Sequence, residues 1–115
     1  MTKNQTSKIY KICQMDLWHD AEKQGRFGGA GIDLQDGYIH FSTFAQSAET
    51  LALHFTGQTD LYLIEVDTKQ LDVIWEESRG GQLFPHLYDT LPLSSVTQKW
   101  ALSVDEHGIH QLPNL

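Results

Sequence analysis

Residues 60–67 constrain the fold more than any other stretch of the chain. Leu61, Leu63, Ile64 and Val66, with Tyr62 between them, form a near-continuous apolar run bounded by Asp60 and Asp67. A run of that length, rich in β-branched and aromatic side chains, predicts a strand. A strand with one wet face would alternate apolar and polar residues, and this one does not. It therefore predicts a central strand covered on both faces, and the rest of the chain has to supply the cover.

Ile9 to Cys13 alternates loosely and predicts a first strand. A helix is expected from about Met15 to Gln24. Leu17, Trp18 and Ala21 lie near helical spacing, Asp16 and Asp20 sit early where the helix dipole favours negative charge, and Gly25 is a natural stop. Arg26 to Gln35, with Gly28-Gly29-Ala30-Gly31, reads as a flexible surface loop. The alternatives are a mobile lid or a phosphate cradle, but no lysine and no Gly-x-Gly-x-x-Gly spacing follow.

Asp36-Gly37 signals a turn, and Tyr38 to Thr43 reads as a strand. Its alternation puts Tyr38, His40 and Ser42 on one face, with Ile39 and Phe41 on the core face. Thr43 is a good N-cap, and Gln46 three residues on completes a capping box, so a second helix begins there. Ala45, Ala48, Leu51, Ala52 and Phe55 mark its apolar stripe, and Gly57 ends it. After the central strand, Thr68 to Leu71 is a short turn. Val73 to Trp75 resumes a strand ending in Glu76-Glu77, and Ser95 to Val104 is a last strand anchored by Val96, Trp100 and Leu102. Asp105 to Leu115 reads as a turn and a polar tail. Helices in the first half and strands in the second predict an α+β domain, with a mixed or antiparallel sheet and two helices against it.

The chain has 115 residues, 40% of them hydrophobic, which suits one domain with a modest core. That domain is expected over 8–104, with polar termini at 1–7 and 105–115 and a short disordered lead-in at the N-terminus. One cysteine, Cys13, allows no internal disulfide and fits a reducing, cytoplasmic setting. Cys13 reads as a core residue rather than a nucleophile, since only Lys11 lies near to lower its pKa. No apolar run approaches bilayer-spanning length, and the first residues lack the apolar core of a signal peptide.

The formal net charge is −7, and the basic residues are scattered, at positions such as Lys11, Lys23, Lys69 and Lys99. Counterion release needs a dense basic surface, so neither nucleic acid nor an anionic membrane is an expected partner. The expected partner is a small-molecule ligand, and no oligomeric state follows from the sequence.

Chemistry-bearing residues concentrate in Gly80–Tyr88, Gly-Gly-Gln-Leu-Phe-Pro-His-Leu-Tyr. Two glycines free the backbone and Pro85 then fixes it as extended, so His86 and Tyr88 share a face. The upstream cluster His40-Phe41-Ser42-Thr43 is placed to meet this stretch across a sheet. His40 and His86 are candidates for general acid or base, and a Ser-x-His face also admits a nucleophile, although no Gly-x-Ser-x-Gly elbow is present. Glu76, Glu77 and Arg79 form a charged knot that reads either as a solvated strand end or as a base and an anion clamp. Six histidines raise the question of zinc, with His40, His86 and a glutamate as ligands. No His-x-x-x-His or Cys-x-x-Cys spacing exists, His54 lies on a helix and His107 and His110 in the tail, so no residue is assigned to a metal.

Two of these motifs, Tyr38-Ile39-His40-Phe41-Ser42-Thr43 and Phe84-Pro85-His86-Leu87-Tyr88, resemble the signatures of a small, mostly bacterial family, domain of unknown function 952. The likeness extends to Ile9-Tyr10, Trp18, Gly25, Gln46 and Trp75-Glu76, and so covers nearly the whole chain. That family is distantly similar to the ADP-ribosyltransferase fold. The resemblance implies a split, mixed sheet around a cleft for a nicotinamide dinucleotide, with NAD and ADP-ribose as the candidate cofactors. It places Lys11 near the ribose-holding position of the first strand and Tyr38 to Thr43 beside the nicotinamide. His86 then stands where those enzymes carry a glutamate, with Glu77 nearby as a stand-in. Lysine lacks the planar fork of arginine, and histidine supplies no fixed negative charge.

The expectation is therefore a small cytosolic α+β protein of ADP-ribosyltransferase-like fold with a cleft for a nucleotide-like ligand. His40, His86 and Glu77 are its candidate catalytic residues. Lys11, Tyr38, Ser42, Thr43, Arg79, Phe84 and Tyr88 are its candidate ligand contacts. Divergent ADP-ribosyl transfer or N-glycosidic cleavage is the expected chemistry, with a non-catalytic binding module and a metal-dependent hydrolase as alternatives.

Overall fold

The computed structural model describes residues 7–115, so the expected lead-in lies outside the described residues except for Ser7. The apolar run forms β4 (Leu61–Asp67), and it is central as its composition requires. It pairs antiparallel with β1 (Lys8–Gln14) on one side and β8 (Val96–Val104) on the other. A short β9 (His110–Gln111) completes this sheet beyond β8.

Alternation along β4 feeds two cores. Leu61 and Leu63 join Tyr10, Ile12, Leu51 and Leu102 on one face. Ile64 and Val66 join Ile9, Trp18, Phe27, Ile39, Phe41 and Leu87 on the other. Each such fully buried side chain contributes roughly 1.5–3 kcal/mol relative to exposure. Glu65, the one acid in the run, is buried yet satisfied. The Tyr10 hydroxyl donates to it at 2.8 Å and the Thr97 hydroxyl at 2.6 Å. Burial first, and then this carboxylate, push the Tyr10 phenol up to about 12.

The two faces are covered from opposite sides. On one lies α3 (Phe44–His54), which opens with the expected capping box between Thr43 and Gln46. On the other lies α1 (Met15–Gln24), which buries Trp18 and Ala21 and ends at Gly25 in the left-handed conformation. A second sheet, in the order β3 (Ile39–His40), β6 (Leu83–Leu87), β5 (Val73–Glu77), packs Ile39 and Leu87 onto the same core as α1. Pro85 sits in the middle strand of that sheet without breaking it. Its carbonyl accepts from Phe41 N at 3.0 Å, and in an antiparallel strand the missing N–H would point the same way, just past the end of β3. The two sheets are stitched together where Tyr10 and Ser42 exchange backbone hydrogen bonds of 2.8 Å.

The molecule is thus a single α+β domain with antiparallel sheets, and several expectations are corrected. Among the described residues there are three α-helices rather than two. The stretch read as a flexible loop holds β2 (Arg26–Phe27), paired with β7 (Leu91–Pro92), and a short helix α2 (Ile32–Asp36). The stripe expected on α3 is misphased. Ala45, Ala48 and Ala52 are exposed, and Phe44, Ser47, Leu51 and Phe55 face inward, because the Thr43 cap sets the helix phase and the larger side chains claim the core. Leu17 likewise faces solvent. The tail does not trail off: β9 pairs with β8, His110 Nε2 lies 2.7 Å from the Gln58 carbonyl, and Leu112 packs against the core.

Candidate functional site

The pairing of β3 with β6 sets His40 directly opposite His86. Continuing that register places Tyr38 opposite Tyr88, and alternation keeps all four on one face. The result is a two-by-two array of rings. Tyr38 lies within ring contact of the other three, with centroids 4.5 Å from His40, 4.3 Å from His86 and 4.8 Å from Tyr88. The two histidine rings are 5.4 Å apart, edge to face.

Each histidine is held by a carboxylate. Asp33 of α2 lies 2.6 Å from His40 Nδ1, and its oxygens also accept from the backbone N–H groups of His40 and Ala30 and from Lys11 Nζ at 2.8 Å. Asp36, one turn on, lies 3.0 Å from His40 Nε2. Both ring nitrogens of His40 thus face carboxylates, a geometry satisfied at both ends only when both carry protons. Burial works to raise the Asp33 carboxyl. The His40 hydrogen bond, the Lys11 charge and the Ala30 N–H outweigh it and bring it down to about 2. The close seat of α2 needs Gly29, whose φ is +108° and where a Cβ would come within 2.9 Å of Asp33 Cβ.

On the other strand, Glu76 of β5 lies 2.6 Å from His86 Nδ1 and accepts from the Tyr88 hydroxyl at 2.7 Å. Those two hydrogen bonds hold the Glu76 carboxyl below the usual range, while Glu76 in turn pushes the Tyr88 phenol up to about 12. With Nδ1–H donated to Glu76, the His86 lone pair sits on Nε2. His86 is only 4% exposed, and no group among the described residues takes up Nε2. A groove of about 290 Å³ adjoins the array and shares Tyr38 and Tyr88 with it, and Asp33 also lines it, whereas His40, His86 and Glu76 do not.

The structure brings together His40, His86, Tyr38 and Tyr88 as the sequence leads one to expect, and disperses the rest. Lys11 is buried, with its ammonium on Asp33 and the His40 carbonyl, so it reaches the array only through Asp33. Glu77 alternates to the far face of β5 and is exposed, and Glu76 takes the place expected for it. Ser42 is buried against the Thr50 hydroxyl, and Thr43 is spent as the helix cap. Arg79 lies over the Phe84 ring and reaches Thr50, Glu49 and His54 of α3, so it and Phe84 form a separate cluster. Cys13 is a core residue, and burial raises its thiol to about 11. Asp33 and Asp36 escaped the sequence reading, where their spacing of three just ahead of His40 was the available signal. Among the described residues no three His, Cys, Asp or Glu side chains converge as metal ligands.

With this geometry in hand, comparison with known proteins places the chain. A family model described as a protein of unknown function, DUF952, matches residues 12–99. The chain belongs to that family. Its structure is similar to the crystal structure of CC0527 from Caulobacter crescentus, at 45% identity and a TM-score of 0.86, covering 90% of this chain and 93% of that one. It is also similar to the solution structure of CC0527, with a TM-score of 0.82 over 92% and 93% of the two chains. No curated protein matches. This DUF952 chain also has no helix among its described residues that is long and apolar enough to cross a membrane.

Proposed function

We propose that the ring array of this DUF952 chain binds a small nucleoside-like ligand and acts on its N-glycosidic bond. The observation that carries the reading is the Glu76–His86 pair, a carboxylate fixing one imidazole nitrogen while the other keeps its lone pair beside a row of aromatic rings. A planar base would stack on the tyrosines. The Glu76 oxygen not engaged by His86 and Tyr88 would face the ribosyl carbon and stabilise its oxocarbenium character. As the C–N bond breaks, its electron pair leaves with the base. Water or an acceptor hydroxyl forms the new C–O bond and gives its proton to His86 Nε2. The likeness to the ADP-ribosyltransferase fold supports the same ligand class by analogy, and Glu76 supplies the fixed negative charge that His86 lacks.

The test is release of free base from nicotinamide and purine nucleosides and nucleotides, followed by chromatography. Turnover is expected in the parent and lost in His86→Asn, a shorter side chain that leaves less of a cavity than alanine at this buried position. Equal turnover in the variant contradicts the reading. A second reading, a non-catalytic module for a ligand or a protein, is favoured by the exposed Leu34 and Tyr88 that line the groove. It expects saturable binding without turnover. The metal-dependent hydrolase draws little support, because Asp36 occupies His40 Nε2 and among the described residues no three His, Cys, Asp or Glu side chains converge beside His86 Nε2.

A further inference from the structure

We infer that the ligand of this site is an organic cation carrying no phosphate at the contact, of the pyridinium N-glycoside class. The inference rests on the N-glycoside reading above and adds the charge of the substrate.

Two independent observations point to it. The first is electrostatic. Asp33, Asp36 and Glu76 surround the rings, and Asp89 joins Asp33 in the groove, whose lining contains no lysine or arginine. Lys11, whose ammonium reaches the array through Asp33, is buried and engaged by Asp33 and the His40 carbonyl. Arg79 is spent on α3. Four carboxylates against Lys11 leave the surroundings negative even with both histidines protonated. A phosphate would meet this charge with no fixed cation to hold it. A flat cation meets two tyrosine rings and carboxylates, the surroundings that favour cation–π contact.

The second observation is chemical. A neutral base must be protonated as it leaves, and the array offers no free acid for that. The Tyr88 hydroxyl and His86 Nδ1 both donate to Glu76, and both nitrogens of His40 face Asp33 and Asp36. The Tyr38 hydroxyl is a poor donor, since burial and the charges of Asp36, Glu76 and Asp33 raise its pKa. What the array offers is an acceptor, His86 Nε2. A cationic heterocycle leaves as a neutral base and needs no acid. An acceptor without a donor therefore matches a substrate that is already positive.

The test is calorimetric titration of the full chain at low ionic strength with nicotinamide riboside, adenosine, ADP-ribose and NAD⁺. Nicotinamide riboside is expected to bind tightest, about tenfold or more over adenosine and ADP-ribose. Its affinity should fall with added salt and drop about tenfold in Glu76→Gln and several-fold in Asp36→Asn. ADP-ribose or NAD⁺ binding as tightly as nicotinamide riboside overturns the charge inference and leaves the nucleoside site standing. Equal binding of adenosine does the same. Silence from all four probes overturns both.

Discussion

The two histidines sit opposite one another in register, yet their carboxylates differ in kind. Asp33 is 3% exposed, accepts from two backbone N–H groups, a lysine and an imidazole, and is locked to the core through Lys11. Glu76 lies at the exposed edge strand and is held only by His86 and Tyr88. The first pair is part of the framework. A buried ion pair is a poor way to gain stability, because desolvation offsets most of its attraction, and it becomes costly only when one partner is lost. In the second pair His86 is buried, but Glu76 is exposed to solvent and so open to a ligand. On the proposed reading, one side of the array positions and the other side acts.

This contrast can be broken by mutation. Lys11→Met leaves Asp33 buried without its ammonium partner and is expected to cost about 3–5 kcal/mol in urea denaturation. Glu76→Gln is expected to cost less than about 1 kcal/mol, as a change at an exposed edge. Equal losses would erase the distinction between frame and site.

Acid sharpens the same contrast. The Asp33 carboxyl is depressed to about 2 from an ordinary value near ~3.9, so its contribution is fully present above about pH 4 and is lost as the pH falls through 2. The parent is expected to lose roughly 2 kcal/mol more than Asp33→Asn over that window. Parallel stability curves for the two proteins would show that Asp33 is not the frame.

Smaller effects map the borders of the site. Thr43→Ala removes the α3 cap and is expected to cost about 1 kcal/mol while leaving ligand binding unchanged, since Thr43 serves the helix and not the rings. Tyr88 is the most local reporter. Its phenol, at about 12 in the parent, is expected to return toward the usual value near ~10 in Glu76→Gln, read from the tyrosine ring-carbon shifts against pH. An unmoved Tyr88 titration would remove Glu76 from the acting side.

Much of this arrangement was legible where sequence has strict periods. The apolar run of β4 declared a covered central strand, and period-two alternation put His86 with Tyr88 and Tyr38 with His40 before any pairing was known. The capping box at Thr43 placed the start of α3. What was not legible depended on partners far along the chain. Asp33 sits on a helix of five residues, too short to show a helical period, and its burial is decided by Lys11, 22 residues away. The choice of Glu76 over Glu77 is a one-residue matter of register, which only the β5–β6 ladder decides. Ser42 and Thr43 looked like site residues because polar groups near histidines do, yet the sheet junction and the helix cap consume them. Arg79 turns toward α3 because the chain reverses at Gly80, where φ is +66°.

The measurement that bears most directly on the central claim is the long-range ¹⁵N–¹H spectrum of the histidine rings, recorded with and without nicotinamide riboside. His86 is expected to show a protonated Nδ1 and a bare, acceptor-type Nε2, with Nε2 moving as ligand is added and the pattern collapsing in Glu76→Gln. A His86 protonated at Nε2 instead, or one indifferent to the ligand while other residues respond, would contradict the account of Glu76 and His86 as the acting pair.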